Sequence, residues 1–231
     1  MNLELSYDQK EIQIGIMNPD GQGWHWDASK KHILQAVESS LSRLQTDYID
    51  LLLHGGTIED PIDETIEAFE LLKKQGKIKH YVISSIRPNV IREYVKRSCI
   101  VSVMMQYSLL DRRPEEEMFE LLKSNQIGVL ARGSLAKGLL AGKPSSAYLD
   151  HRVEAVRKMQ DALGQIAPSH EHLFKIALQF VLGNPAITSA VVGIRTIEQL
   201  KQVLSFNPDT SHQDLDKLQN VLPVNLYRNH R

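Results

Sequence analysis

Tyr48-Ile49-Asp50-Leu51-Leu52-Leu53-His54 is a short, largely apolar run closed by Gly55-Gly56. Three successive leucines break any alternation of polar and apolar residues, as expected of a strand covered on both faces by helices. Its flanks agree. Upstream, Ile33, Leu34, Val37, Leu41 and Leu44 recur at helical spacing, with Ser29 or Asp27 able to cap the helix and an end near Gln45. Downstream, Asp63 to Gln75 places Ile66, Phe69 and Leu72 on one side, and Gly76 is set to end that helix in the left-handed conformation. Lys79 to Ser85 is the next strand.

The same unit then recurs: helix Pro88 to Arg97 with proline in its first turn, strand Ile100 to Tyr107, helix Pro114 to Asn125, strand Ile127 to Arg132. Strand starts near 48, 79, 100 and 127 lie about 31, 21 and 27 residues apart, the length of a strand, loop, helix and loop. Gly133 to Ser146 reads as a loop. Amphipathic helices follow at His151 to Ile166 and Ser169 to Leu182, then a last strand at Ala186 to Val192 and a last helix from Thr196. With a weaker strand at Glu11 to Ile16, this is a parallel α/β chain of about six strands. The Gly-x-Gly-x-x-Gly of a doubly wound dinucleotide fold is missing, since Gly21 and Gly23 lack a third glycine and a preceding strand.

Composition sets the outer bounds. The 231 residues carry 27 Lys+Arg against 28 Asp+Glu, a net charge of -1, and 42% are apolar. That excludes a disordered tail, a collagen-like fibre and a strongly basic nucleic-acid binder, and it fits one α/β domain over 1–231. Cys99 is the only cysteine, which suits a reducing compartment and predicts a cytoplasmic location. Met1 to Lys10 has no apolar signal region, and no stretch approaches 18 uninterrupted apolar residues, so no membrane association is expected. His170 and His172 are two apart and share no helix face, and His-Glu-x-x-His is absent, so no metal site is expected.

The run from Ser40 through Arg43-Leu44-Gln45-Thr46-Asp47-Tyr48-Ile49-Asp50-Leu51 to His54 resembles the aldo-keto reductases, NADP(H)-dependent enzymes on a (β/α)8 barrel. Four further segments are similar in the same order: Gly76-Lys77-Ile78-Lys79 leading to Ile83-Ser84-Ser85, Gln106-Tyr107-Ser108-Leu109-Leu110, Ala131 to Leu140, and Val192 to Leu200. The resemblance implies a barrel short of its first two strand-helix units, with about six of eight strands. It implies that Ser84, Ser85 and Gln106 hold the nicotinamide carboxamide, and that Gly133, Ser134, Leu135 and Lys137 wrap the pyrophosphate. It assigns Gly193, Arg195, Thr196 and Gln199 to the adenosine 2′-phosphate, and puts Arg132 where many relatives stack an aromatic ring on the nicotinamide. A glycine loop and a helix N-terminus favour phosphate, and a guanidinium pairs with it bidentately.

The resemblance also implies a Tyr general acid tuned by Lys and Asp, with a His orienting the substrate carbonyl. Only the His is matched, as His54; Met17 stands where the Lys is expected. Loss of general acid catalysis costs about 10²- to 10⁴-fold, so reduction of an aldehyde or ketone is expected to be impaired, or the chain to be a nucleotide- or partner-binding remnant. Tyr7, with Lys10 beside it, is the one nearby substitute acid. The strand before His54 is one residue shorter than the family pattern, a loss expected to be absorbed at Asp50 to Leu51 so that His54 faces the site. Val82 and Val203 replace a Gly and an adenine-contacting Asn. An incomplete barrel has open strand edges, to be covered by residues 1 to 23, by a second copy in a homodimer, or not stably at all.

Plainer readings stand beside these. Ser84-Ser85 before Pro88 also fits an ordinary turn and cap, and Gly133 to Gly138 a plain loop. Trp26 and Tyr107 read as packing residues, Trp24 as packing or substrate loop, and Glu115-Glu116-Glu117 as a solvated first helical turn.

Overall fold

The computed structural model describes residues 11–13, 16–17, 24–25, 27–55, 57–207 and 212–231. Tyr7, Lys10 and Trp26 lie outside them. The chain forms two compact units, Met1–Met104 with Asn229–Arg231, and Met105–Arg228.

The first unit is built on β4 (Ile49–Gly55), which pairs in parallel with β1 (Glu11–Gln13) and with β5 (Ile78–Ser84). The expected strand Glu11 to Ile16 is therefore shorter. Ile16–Met17 (β2) pairs instead with Trp24–His25 (β3) in a small antiparallel ladder. Helix α1 (Lys30–Leu44) starts at Ser29, whose hydroxyl accepts the His32 N–H, and buries Ile33, Val37, Ser40 and Leu41. Gln45 ends it at φ 52. Helix α2 (Ile62–Lys74) buries Thr65, Ala68, Phe69 and Leu72; the Thr65 hydroxyl donates to the Ala28 carbonyl at 2.8 Å, tying the two helices. Gly76, at φ +73, makes the turn into β5. Tyr81, Val82 and Ile83 of β5 are fully buried, the Tyr81 ring lying 4.7 Å from Phe69. Beyond α3 (Pro88–Arg97), β6 (Ser102–Gln106) adds to β5 in parallel at Ile83↔Val103 and Ser84↔Met104.

Met105 opens the second unit, where β7 (Gly128–Arg132) pairs in parallel with β8 (Ser189–Val191). Four helices accompany them: α4 (Met118–Ser124), α5 (Val153–Ile166), α6 (His170–Gly183) and α7 (Ile197–Leu204), with α8 (His212–Gln219) last. The expected helix Pro114 to Asn125 is split. Arg113–Glu116 is a 3₁₀ turn, and Glu117, at φ -157, breaks it from α4. Nor are the three glutamates a solvated turn: Glu115 accepts two hydrogen bonds of 2.7 and 2.8 Å from Arg112, and the Glu116 carboxylate accepts the Tyr227 N–H at 2.9 Å. Phe174, Leu178 and Phe206 form a buried cluster on which Leu135, Val192 and Val203 pack.

Among the described residues no helix is long and apolar enough to cross a membrane.

Candidate active site

Parallel sheets present their loops at the C-terminal ends of the strands, and most of the residues singled out above stand there. In the first unit, Ser84 is the last residue of β5 and Ser85 follows it, almost fully buried. The Ser85 hydroxyl accepts the Arg87 N–H at 3.1 Å, and its own N–H donates to the Met104 carbonyl. This side chain closes a turn before α3, as the turn reading expected, but it does not cap the helix, whose N-cap is Arg87 without a side-chain cap bond. Pairing of β4 with β5 runs in unbroken register from Ile49↔Ile78 to Gly55↔Ser84. No bulge interrupts this pairing at Asp50 to Leu51, the place where the loss of one residue is expected to be absorbed. The Asp50 side chain accepts from Lys79 at 2.6 Å, and where the His54 ring points lies outside the described residues.

In the second unit Gln106 ends β6 and Arg132 ends β7. The Tyr107 N–H donates to the Arg132 carbonyl, and an Arg132 guanidinium N–H reaches Gln106 Oε1 at 3.3 Å. Arg132 is therefore oriented by Gln106. Gly133 follows at φ +70, a backbone conformation that favours glycine, and a Cβ there would stand 3.0 Å from Gln106 Cγ, so that side chain would have to give way. Ser134 is 2% exposed, and its Oγ has no hydrogen-bond partner among the described residues. An orphaned buried hydroxyl costs about 1–3 kcal/mol, so Ser134 Oγ is an atom that a bound group or an ordered water would satisfy.

The rest of the loop is a 3₁₀ segment, Ala136–Ala141, kinked by three successive left-handed residues: Ala136 at φ 47, Lys137 at φ 59 and Gly138 at φ +94. The Lys143 ammonium donates to the Lys137 carbonyl at 2.9 Å and pins the kink. Leu135 packs into the Phe174 cluster, anchoring the loop's first half. Such a cradle, with glycines in positive-φ turns beside an unsatisfied hydroxyl, suits the oxygens of a phosphate chain.

After β8, Gly193 has open space around it. Thr196 caps α7, its hydroxyl accepting the Gln199 N–H at 3.2 Å, while Gln199 Oε1 reaches back to accept the Arg195 N–H at 2.7 Å. This reciprocal cap is a job the sequence reading had not given Thr196 or Gln199. It leaves Arg195, exposed, at the positive end of the helix, where an anion is favoured. Val203 packs on the Phe174 cluster.

Tyr107 is a packing residue, as expected. Its ring stacks on Phe180 at 5.4 Å and meets Phe119 edge-on at 4.9 Å, and its hydroxyl donates to Glu115 and accepts from Asn184. Burial, reinforced by the Glu115 carboxylate, pushes this phenol far above its ordinary range, so it stays neutral. A cavity of about 410 Å³ opens beside it, lined by Phe119, Phe180, Pro185 and Leu215. That cavity lies among helix ends and not at the strand ends just described. The sequence reading missed Tyr148, whose hydroxyl meets Gln106 from 42 residues away; no periodicity or motif marks it.

Parallel strands that alternate with helices, with the singled-out residues at their C-terminal ends, fit an α/β barrel, present in part. The family model described as "Aldo/keto reductase family" matches residues 8–221, and the chain belongs to the aldo-keto reductase family. It is 49% identical over 222 residues to the oxidoreductase YqkF of Bacillus subtilis (strain 168), covering 91% of this chain and 72% of that one. It is 29% identical to the NADH-specific methylglyoxal reductase of Escherichia coli (strain K12), covering 80% of this chain and 63% of that protein. The holo form of aldo-keto reductase AKR11C1 from Bacillus halodurans superposes with a TM-score of 0.86 at 44% identity, covering 96% of this chain and 75% of that one. Several other relatives are spanned over 57–58% of their length. The fold is thus a partial (β/α)8 barrel.

Proposed function

We propose that the chain is an NADP(H)-linked oxidoreductase of aldehydes or ketones whose cofactor half is intact and whose turnover, in a polypeptide of these 231 residues, is impaired. The observation that carries the cofactor reading is Ser134, a buried hydroxyl left without a partner inside a glycine cradle. NADP(H), when bound, supplies the hydride. In this reading Ser84, Ser85, Gln106 and Arg132 serve the nicotinamide end, and Gly133 to Lys137 the pyrophosphate. Arg195, presented with Gly193 by the Thr196–Gln199 cap, serves the 2′-phosphate. His54 is the one member of the catalytic set carried by the sequence, and it would orient the carbonyl of a small-molecule substrate. A cytoplasmic location and a homodimer covering the edge beyond β8 belong to the same proposal. The apolar Ile197, Leu200 and Leu204 that α7 presents to solvent favour such a cover.

Titration with NADPH and with NADH, each followed by cofactor fluorescence, tests the cofactor reading. Saturable NADPH binding is expected, with Arg195→Ala weakening NADPH about ten- to hundredfold and NADH less than about threefold, because only NADPH carries the phosphate that the guanidinium would pair. Equal loss for both, or no loss, assigns the 2′-phosphate elsewhere. An absence of any binding leaves the non-catalytic, partner-binding reading.

A further inference from the structure

Gln106 is held from two sides. An Arg132 guanidinium N–H approaches Oε1 at 3.3 Å, and Nε2 lies 2.7 Å from the Tyr148 hydroxyl oxygen. A guanidinium has donors only, so the face turned to Arg132 must be the amide oxygen; the nitrogen then faces Tyr148, and the phenol oxygen accepts. A primary amide has two N–H donors and two acceptor sites. With one of each engaged, one N–H and one lone pair remain, a donor and an acceptor that match those of another primary carboxamide.

The chain goes to some trouble to put Tyr148 there. It stands 42 residues from Gln106, in a two-residue turn closed by reciprocal hydrogen bonds between the backbones of Tyr148 and His151, at 3.0 and 2.9 Å. Leu149, in that turn, takes φ 52, a left-handed conformation that a branched side chain rarely adopts, and it is left 46% exposed. The exposed leucine gains little by packing. The residue the turn does bury is Tyr148, at 6% exposure. Burial, and next the nearby carboxylate of Asp111, raise this phenol above its ordinary range, so it remains a neutral acceptor. Asp111 is itself fully buried and gripped by Arg113 through two bonds of 2.7 Å.

We infer that Tyr148 is a positioning residue, which fixes the rotation of the Gln106 amide so that the site selects a dinucleotide bearing a primary carboxamide. The inference rests on the cofactor reading above and deepens it. Two measurements test it. The first compares binding of NADPH with binding of its reduced 3-acetylpyridine analogue, in which a methyl group replaces the carboxamide nitrogen. The second follows the side-chain NH₂ resonances of Gln106 by NMR, identified by their loss in Gln106→Glu. In the wild-type chain, NADPH is preferred about tenfold or more and one Gln106 amide proton exchanges slowly. Tyr148→Phe, which keeps the ring and removes the acceptor, brings the preference within about threefold and makes that proton exchange fast. Leu149→Gly, which relaxes the turn and keeps the phenol, leaves both readings unchanged.

Equal weakening of both dinucleotides in Tyr148→Phe gives Tyr148 a merely structural role and overturns the inference. So does a Gln106 resonance that ignores the substitution. If the resonance responds but the wild-type chain binds neither dinucleotide, the clamp on Gln106 stands and the cofactor reading falls.

Discussion

Ser85 and Ser134 each follow a strand, but their hydroxyls are used differently. The Ser85 hydroxyl is spent on the Arg87 N–H, whereas the Ser134 hydroxyl is buried with no described partner. Sequence reads Ser85 as a carboxamide contact or a turn and Ser134 as part of a pyrophosphate loop or a plain loop, because a serine after a strand carries no mark of whether the backbone will use its oxygen. Three-dimensional context divides them. Ser134→Ala should therefore leave folding stability unchanged, or raise it by up to about 1 kcal/mol, because an unpaired polar atom leaves the interior. The same variant should bind NADPH several-fold more weakly. Urea unfolding with and without NADPH measures both; a large loss of stability in the free chain would mean the hydroxyl already has a partner.

At the scale of elements, the strands around Leu51-Leu52-Leu53 and Tyr81-Val82-Ile83 were legible as unbroken apolar runs, and Tyr81, Val82 and Ile83 are fully buried as such a run demands. Helix α8 was not. With Leu215 and Leu218 as its buried residues in an otherwise polar stretch, it offers two points of a stripe and no period. The split before α4 was hidden for another reason: Arg112 and Tyr227 draw Glu115 and Glu116 out of helical register through contacts that local spacing cannot express. Helix α7 is the reverse case, placed by sequence from Thr196 although no residue of it is fully buried, while the Thr196–Gln199 cap that starts it was not read. It is held by its cap and by Val203 and little else. Thr196→Ala should cost about 1 kcal/mol locally. Amide exchange should show it: residues 197–204 lose protection while α6 keeps its own. Unchanged protection in α7 would mean the cap is not what holds the helix.

Across the whole molecule, the family and the parallel barrel architecture were readable from five ordered motifs, and the turn at Gly133 from its glycine. What sequence could not supply was the network among them: the Gln106–Arg132–Tyr148 contacts, the Lys143 pin on the kinked loop, and the cap that presents Arg195. The most direct measurement of the central claim, a competent cofactor half without its full proton-delivery apparatus, is single-turnover hydride transfer. NADPH-saturated chain is mixed with 4-nitrobenzaldehyde and loss of NADPH absorbance is followed. The account predicts saturable binding and a transfer rate below about 0.1 s⁻¹, at least two decades under the ~10 s⁻¹ of a typical enzyme. Transfer at or above that typical rate would contradict it.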